Sequence, residues 1–201
     1  MSLPVSGASI KNVIDILRAA LAQRRIFHIN DEKMKISAVL VPIFLKAGQY
    51  HLLFIQRTER VKEHKGQISF PGGAYEKADR ILLNTALREA EEEIGLAPVD
   101  VYVLGELDYV VTASTYYVIS PFVGLIPYPY KFKPDKWETE ELIEVPISVL
   151  QSKDCFSESI VKLNGLEIDT GFFKCRDKII WGATSKILKQ FLEIVVGLPI
   201  S

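Results

Sequence analysis

The segment from Leu82 to Leu96 constrains the fold most strongly, because its residues repeat with the period of an α-helix. Glu89, Glu92 and Glu93 hold positions i, i+3 and i+4, so they share one face. The apolar residues of the same segment recur on a different face, at Leu83, Ala86, Leu87, Ala90 and Ile94. The pattern predicts an amphipathic helix over residues 82–93, with a buried stripe and an acidic face that points away from the core.

The crowded carboxylates are not explained by helix stability. Acids near the C-terminal end of a helix repel one another and oppose the helix dipole. A bound cation would remove that repulsion, and a donor set of carboxylates favours Mg²⁺ or Mn²⁺ over zinc or copper. The alternative is a solvated acidic face without a ligand. By themselves the three acids leave both interpretations open.

The residues before the helix add a second constraint. Gly72 and Gly73 follow an expected strand, either as a simple turn or as backbone that approaches a metal or diphosphate closely. The whole segment 72–96 resembles the Nudix box. Gly73 matches its opening and residues 88–96 match its second half in full, whereas Asp79 replaces a Glu and is separated from Arg88 by eight residues rather than seven. The resemblance implies that Glu89, Glu92 and Glu93 bind the metal and are catalytic, together with Arg88, which orients them.

The irregular loop and the run upstream of it resemble the coenzyme A pyrophosphatase branch of this family. The matching residues are Arg57-Thr58, His64, Gly66-Gln67 and Phe70-Pro71-Gly72-Gly73, whereas Val61-Lys62 departs from the usual Leu-Arg. Coenzyme A carries a diphosphate and a ribose 3′-phosphate, which basic side chains bind. The implied substrate-binding residues are therefore Arg57, Arg60, Lys62, His64, Gly72 and Gly73. For the basic residues the alternative is a polar loop of alternating charge.

The resemblance implies an enzyme, a Nudix diphosphatase of the hydrolases that act on acid anhydrides. It would cleave coenzyme A or acyl-coenzyme A to 4′-phosphopantetheine and adenosine 3′,5′-bisphosphate, with Mg²⁺ or Mn²⁺ as cofactor. One alternative is a Nudix pyrophosphatase for ADP-ribose, dinucleotides or nucleoside triphosphates. A lower-ranked alternative is a non-catalytic nucleotide-binding module, which would be marked by loss of the acids in the box. The general base stays open among Glu89, Glu93 and the acids at positions 138, 140 and 141.

Composition agrees with a compact enzyme. The chain has 201 residues, 48% of them hydrophobic, which is enough for one buried core. We expect a single Nudix domain over residues 1–201, with an N-terminal helical extension over 1–35.

A net charge of −1 gives no reason to expect nucleic acid as a partner, and no apolar run approaches the ~20 residues that cross a bilayer. Cys155 and Cys175 show neither metal spacing nor a disulfide framework, and no secretory signal is evident, which favours the cytoplasm.

Periodicity also predicts the remaining elements. A helix over 10–24 could cover the fold or contribute to a homodimer interface. Strands are expected at 37–45, 50–56, 66–70, 101–107, 116–125 and 141–146, and a hairpin should join 159–163 to 166–173 across Asn164-Gly165. A final helix follows Trp181, which should pack, with Thr184 as its cap. Together with the resemblance, these elements predict an α/β fold, specifically a Nudix-type α/β/α sandwich with a curved mixed sheet between helices.

Overall fold

The computed structural model describes residues 7–27, 29, 33–61, 64–112, 116–163, 166–175 and 177–198. Within these ranges the helices are α1 (Gly7–Ala22), α2 (Leu82–Ile94), α3 (Ile147–Leu150) and α4 (Gly182–Val195). The strands are β1 (Lys35–Lys46), β2 (Gln49–Arg57), β3 (Ile68–Ser69), β4 (Gly72–Ala74), β5 (Tyr102–Glu106), β6 (Val110–Val111), β7 (Tyr117–Leu125), β8 (Thr139–Pro146), β9 (Phe156–Leu163), β10 (Leu166–Cys175) and β11 (Lys178–Ile180). Each predicted helix and strand has a counterpart, and the predicted turn at 164–165 lies outside the described residues.

In the described part of the chain, eight strands form a mixed sheet along the path β3-β2-β1-β7-β5, with β4 beside β1, β6 beside β7 and β8 beside β2. β1 and β7 are parallel, and the other pairs are antiparallel. β9, β10 and β11 form a separate antiparallel sheet. β4, β6 and β11 were not predicted, because strands of two or three residues are too short to display an alternating pattern.

The edge of β1 opposite β7 is divided between two strands. Its residues 43–46 pair with the start of β2, whereas Ser37 to Val39 pair with Ala74 to Gly72 of β4. Beyond Leu52, therefore, β2 parts from β1, and β4 takes its place. We call the divergence between the end of β2 at Arg57 and β4 the fork. It lies on the part of the sheet that α2 covers.

Helices cover both faces of the sheet, as predicted. Alternate residues of β1 and β2 face opposite sides, in agreement with the period of a strand. On one face, Ala38, Leu40, Leu53 and Ile55 pack with Ala86, Ala90 and Ile94 of α2. On the other, Val41, Ile43, Leu52 and Phe54 belong to the core that includes Leu17 of α1 and Phe191 of α4. The first of these cores holds α2 over the fork, since each fully buried leucine or isoleucine contributes about 2 kcal/mol.

The N-terminal helix lies on the sheet. Leu17 and Leu21 are buried. Leu21 packs directly against Gly105 of β5, since a β-carbon added to Gly105 would lie 2.7 Å from the Cβ of Leu21. Arg18 Nη1 donates to the Tyr102 hydroxyl at 2.8 Å. α1 therefore covers the fold, and its contribution to a homodimer interface stays a prediction. None of the helices in the described ranges is long and apolar enough to cross a membrane.

The C-terminal region differs from expectation in two places. Trp181 is 51% exposed, and α4 begins at Gly182, so Thr184 lies inside the helix and does not cap it. Cys155 and Cys175 are both buried, with their Sγ atoms 2.9 Å apart. Their spacing in the sequence did not predict this contact. Burial raises the pKa of the Cys175 thiol, so it is protonated at neutral pH. The contact arises because the loop after α3 lies against the end of β10.

Candidate active site

The last glycine of the box determines where α2 ends. Gly95 has a φ of 69° in the left-handed region, and its N–H bonds back to the carbonyls of Ala90 and Glu91. A β-carbon at this position would also lie 2.9 Å from the Cβ of Lys133. Glycine is required here by both the backbone angle and the close contact. As a result, Glu93 lies in the last turn of α2.

The three acidic side chains of α2 lie in different environments. The side chain of Glu93 is 3% exposed, that of Glu89 is 16% exposed and that of Glu92 is 59% exposed. The predicted acidic face that points away from the core is therefore wrong for Glu93. Glu93 lies beside Ile94 at the edge of the buried stripe, where the strands of the fork cover it. Glu91 is exposed, as predicted.

Glu93 is held from both sides of the fork. The backbone N–H of Gly72, in β4, donates to its Oε2 at 2.9 Å, and Arg57 Nη1, at the end of β2, donates to its Oε1 at 3.0 Å. Burial nevertheless raises the pKa of Glu93 to about 8, although both donors act in the opposite direction. Glu93 is therefore largely protonated at neutral pH, and a further positive charge nearby would favour its ionised form.

Gly73 lies directly against Glu89. A β-carbon at position 73 would be 2.5 Å from Cδ and Oε1 of Glu89 and 2.6 Å from Oε2. The absence of a side chain at position 73 therefore lets the β4 backbone approach the carboxylate. Burial raises the pKa of Glu89, and the neighbouring Arg88 opposes that shift. The two glycines of the box loop thus contact the two least exposed acids of α2.

Arg88 connects the irregular loop to the acids. Its Nε and Nη2 donate to the two carboxylate oxygens of Asp79 at 2.9 and 3.2 Å, and its Nη1 lies 2.9 Å from Glu89 and 3.1 Å from Glu92. Asp79 also accepts bonds from the Thr85 hydroxyl and the Glu76 N–H. Arg88 and these donors lower the pKa of Asp79 to about 2. Asp79, whose role the sequence left open, is therefore a permanent anion that positions Arg88.

Arg57, one of the predicted substrate-binding residues, contacts an acid of α2. Arg57 pairs with Glu93, and its Nη2 lies 3.7 Å from Glu138. Its Nε is buried without a hydrogen-bond acceptor among the described residues. Arg60 lies at the surface, and its Nη1 donates to the Lys136 carbonyl at 3.4 Å.

Two other members of the predicted set lie in the loop between β2 and β3. His64 is exposed, and its Nδ1 lies 3.0 Å from Gln67 Oε1. Lys62 lies outside the described residues. The structure therefore brings Arg57, Gly72 and Gly73 to the acids of α2, whereas His64 bonds within its own loop.

A segment far along the chain completes the site. Asp135 N–H donates to the Glu93 carbonyl at 2.9 Å, and the Thr139 hydroxyl donates to the same carbonyl at 3.2 Å. Thr58 N–H donates to the Glu138 carbonyl at 2.9 Å. Residues 135–139 are therefore tied both to the end of α2 and to the residue after Arg57. This connection to Arg57 was not predicted, because no local pattern relates residues so far apart in the sequence.

The same segment distinguishes the three acids that were considered as alternative bases. Glu138 approaches Arg57, and its charge raises the pKa of both Glu89 and Glu93. Glu140 is exposed, and Glu141 forms an ion pair with Lys178 at 2.7 Å. Of these acids, Glu138 is the one whose charge acts on the carboxylates of α2.

The donor set fits a hard divalent cation. Glu89, Glu92 and Glu93 supply only carboxylate oxygens, which Mg²⁺ and Mn²⁺ prefer. The buried Glu93 and partly buried Glu89 both have raised pKa values, so a nearby cation would stabilise their ionised forms. Within the described residues, no three His, Cys, Asp or Glu side chains are already arranged around a metal position. Arg57 and Arg88 bind the carboxylates instead.

Comparisons with known proteins agree with this geometry. A family model described as NUDIX domain matches residues 34–150, more than half of the chain. A protein named uncharacterized Nudix hydrolase NudL from Photorhabdus laumondii is 34% identical over 159 residues, which cover 79% of this chain and 84% of that protein. A protein of the same name from Yersinia pestis is 33% identical over 159 residues, with 79% of each chain covered.

Two crystal structures resemble the fold at low sequence identity. A MutT/nudix family protein from Enterococcus faecalis has a TM-score of 0.59 and 14% identity, and the match covers 96% of this chain and 76% of that chain. A NUDIX hydrolase from Alicyclobacillus acidocaldarius has a TM-score of 0.55 and 18% identity, with coverage of 87% and 100%. The family match, the relatives and the arrangement of the box around the fork lead to one conclusion: the chain belongs to the Nudix hydrolases, enzymes that act on diphosphate bonds of small nucleotides and in general use divalent metal ions.

Proposed function

We propose that this enzyme hydrolyses the diphosphate bond of coenzyme A or an acyl-coenzyme A, giving 4′-phosphopantetheine and adenosine 3′,5′-bisphosphate. The observation that carries the proposal is that residues of the coenzyme A pyrophosphatase resemblance contact the acids of the box. Arg57 and Gly72 bind Glu93, and Gly73 lies against Glu89. These contacts support the proposal, because residues of the resemblance lie beside the carboxylates of the box rather than on a distant surface.

Three carboxylates would hold the metal in this proposal, those of Glu89, Glu92 and Glu93. When bound, Mg²⁺ or Mn²⁺ would neutralise phosphate oxygens and lower the pKa of a water molecule. Arg88 supports this arrangement because it contacts Glu89 and Glu92 and is itself fixed by Asp79. Among the described residues the buried Nε of Arg57 has no acceptor, and a phosphate oxygen in the fork would supply one.

Hydrolysis requires a base that removes a proton from the attacking water. The water oxygen bonds to one phosphorus, the bridging oxygen leaves with the other phosphate, and the proton passes to a carboxylate. Both oxygens of Glu93 already accept hydrogen bonds, which makes it a poorer base. We propose Glu89 or Glu138 instead, since both carboxylates are close enough for their charges to act on Glu93.

The test is turnover of a defined set of substrates. Purified enzyme is incubated with coenzyme A, ADP-ribose and a dinucleotide, with Mg²⁺, with Mn²⁺ and with chelator, and the products are separated by chromatography. We expect metal-dependent release of 4′-phosphopantetheine from coenzyme A at the highest kcat/KM. Preferred turnover of ADP-ribose would overturn the substrate assignment, and absence of metal-dependent turnover of any would favour a binding module.

A second arm tests the basic residues upstream of the box. Dephospho-coenzyme A lacks the ribose 3′-phosphate, so an enzyme that binds this phosphate should prefer coenzyme A. Arg60→Gln should reduce that preference by about tenfold, since one charge-assisted contact contributes about 1.5 kcal/mol. Arg25→Gln is the matched control, because Arg25 is an exposed arginine just after α1. An unchanged preference in Arg60→Gln would remove Arg60 from the substrate-binding set.

A further inference from the structure

Trp137 is a large aromatic residue that contributes little to the core. Its side chain is 62% exposed, although tryptophan is usually buried over most of its surface. It immediately precedes Glu138, the acid that approaches Arg57. An exposed indole ring at this position calls for an explanation other than packing.

The backbone of Trp137 is fixed in place. Its N–H donates to Asp135 Oδ1 at 2.9 Å, and its carbonyl accepts the buried Thr58 hydroxyl at 2.6 Å. Asp135 in turn is bonded to the Glu93 carbonyl. The ring is thus presented by backbone that is anchored to the residue after Arg57 and to the last turn of α2. Such anchoring reduces the entropy that a ligand would lose by ordering the loop.

A cation lies beside the ring. The guanidinium carbon of Arg60 is 6.0 Å from the Trp137 ring centroid, within the range of a cation–π contact. Arg60 is held by its Nη1 bond to the Lys136 carbonyl and by its N–H, which donates to Thr58 Oγ1 at 3.3 Å. A flat aromatic surface next to a guanidinium matches a nucleotide, whose base stacks on the ring and whose phosphates pair with the cation.

We propose that Trp137 is the stacking platform for the adenine base of the substrate, and that Arg60 binds the phosphate attached to the same nucleoside. This assignment rests on the proposed function, because it places the adenosine 3′-phosphate half of coenzyme A at Trp137 and directs the pantetheine half elsewhere. Glu138, the next residue, lies beside Arg57 on the side of the diphosphate. The base, the sugar phosphate and the diphosphate are thus bound along one continuous edge of the fork.

Binding is measured first without turnover. The chain contains two tryptophans, and Trp181 is exposed on the N-terminal side of α4. In the Trp181→Phe variant all indole fluorescence comes from Trp137. With chelator present, adenosine 3′,5′-bisphosphate and ADP should quench this fluorescence saturably, whereas 4′-phosphopantetheine should not. The reciprocal Trp137→Phe variant, which retains Trp181, should show no saturable quenching.

Kinetics then separate stacking from a structural role. Trp137→Ala should raise KM for the adenine-containing substrate about tenfold and leave kcat within about twofold, as expected for loss of one base stack. Trp137→Phe keeps an aromatic face and should retain most of the affinity. Melting temperatures of both variants should equal that of the wild type, because the ring is exposed.

The outcomes distinguish this subsite from the substrate proposal. Quenching by ADP in an enzyme that prefers ADP-ribose would keep the adenine subsite and overturn the coenzyme A assignment. Hydrolysis of coenzyme A with an unchanged KM in Trp137→Ala would overturn the subsite and keep the substrate. Absence of quenching by every adenine nucleotide, or quenching by 4′-phosphopantetheine alone, would also overturn it.

Discussion

Replacing Gly73 by alanine tests how closely the loop of the box approaches the acids. The added β-carbon would lie 2.5 Å from Cδ and Oε1 of Glu89 and 2.6 Å from Oε2. Carbon and oxygen atoms in ordinary contact are about 3.5 Å apart, so the carboxylate would have to move by about 1 Å. The obstructing atoms belong to a side-chain end rather than to backbone, so the carboxylate can move without unfolding the sheet.

The expected loss is mainly catalytic. A displacement of about 1 Å in a positioned catalytic group costs about 10²-fold in rate. The cost in folding stability should be about 1–2 kcal/mol, the lower part of the range for an added methyl group in a packed site. Activity should therefore fall far more than the free energy of unfolding. The displaced Glu89 would also disturb Arg88, which lies 2.9 Å from it.

The assay is kcat/KM for the preferred substrate under saturating Mg²⁺, together with urea denaturation of the same samples. Ala74→Ser is the control, because it also adds one heavy atom to β4 but at an exposed position. It should retain activity within about twofold. If Gly73→Ala kept near-normal activity with native stability, Glu89 would not need the close approach of β4, and the reasoning would be refuted.

Three further predictions concern the charged groups. Glu92→Gln should lose at least about 10²-fold in kcat/KM with an unchanged melting temperature, whereas Glu91→Gln, its exposed neighbour, should be near normal; equal activities would remove Glu92 from the ligand set. The pKa of Asp79 is lowered from 3.8 to about 2, so its ion pair stabilises the fold fully above pH 4 by about 1–2 kcal/mol and loses this contribution as the pH falls through 2. Urea titrations should accordingly find Asp79→Asn less stable than wild type at pH 7 and equally stable near pH 1. Because burial raises the pKa of Glu93 to about 8, protons compete with metal, and Mn²⁺ affinity should fall as the pH drops from 9 to 6; a flat profile would contradict Glu93 as a ligand.

The elements of the fold were largely predictable, because they depend on local periodicity. The helix over 82–93 and the strand over 37–45 each have enough residues to display their period, and both ends were predicted within two residues. β4 was missed, although it carries the two glycines of the site. A strand of three residues has no measurable period, and only its pairing with β1 defines it.

The roles of the charged residues were less predictable. Arg57 pairs with Glu93, 36 residues away, a contact that no local pattern predicts, and its predicted contact with substrate stays a prediction. Helical spacing predicted that Glu89, Glu92 and Glu93 share one face of α2. It does not predict which strands cover that face. Burial of Glu93 and exposure of Glu92 follow from the divergence of β2 and β4, which is a property of the sheet.

Local sequence is sufficient to predict the amphipathic helix, its set of carboxylates, the glycine at its end and the family to which the chain belongs, because each depends on residues between Gly72 and Leu96. The tertiary structure alone decided which acid is buried, what holds it and which distant residues join it. Trp137 and Thr58 meet across 79 positions, and Cys155 meets Cys175 across 20. Such contacts depend on how strands pair and helices pack, and no local pattern of residues records them.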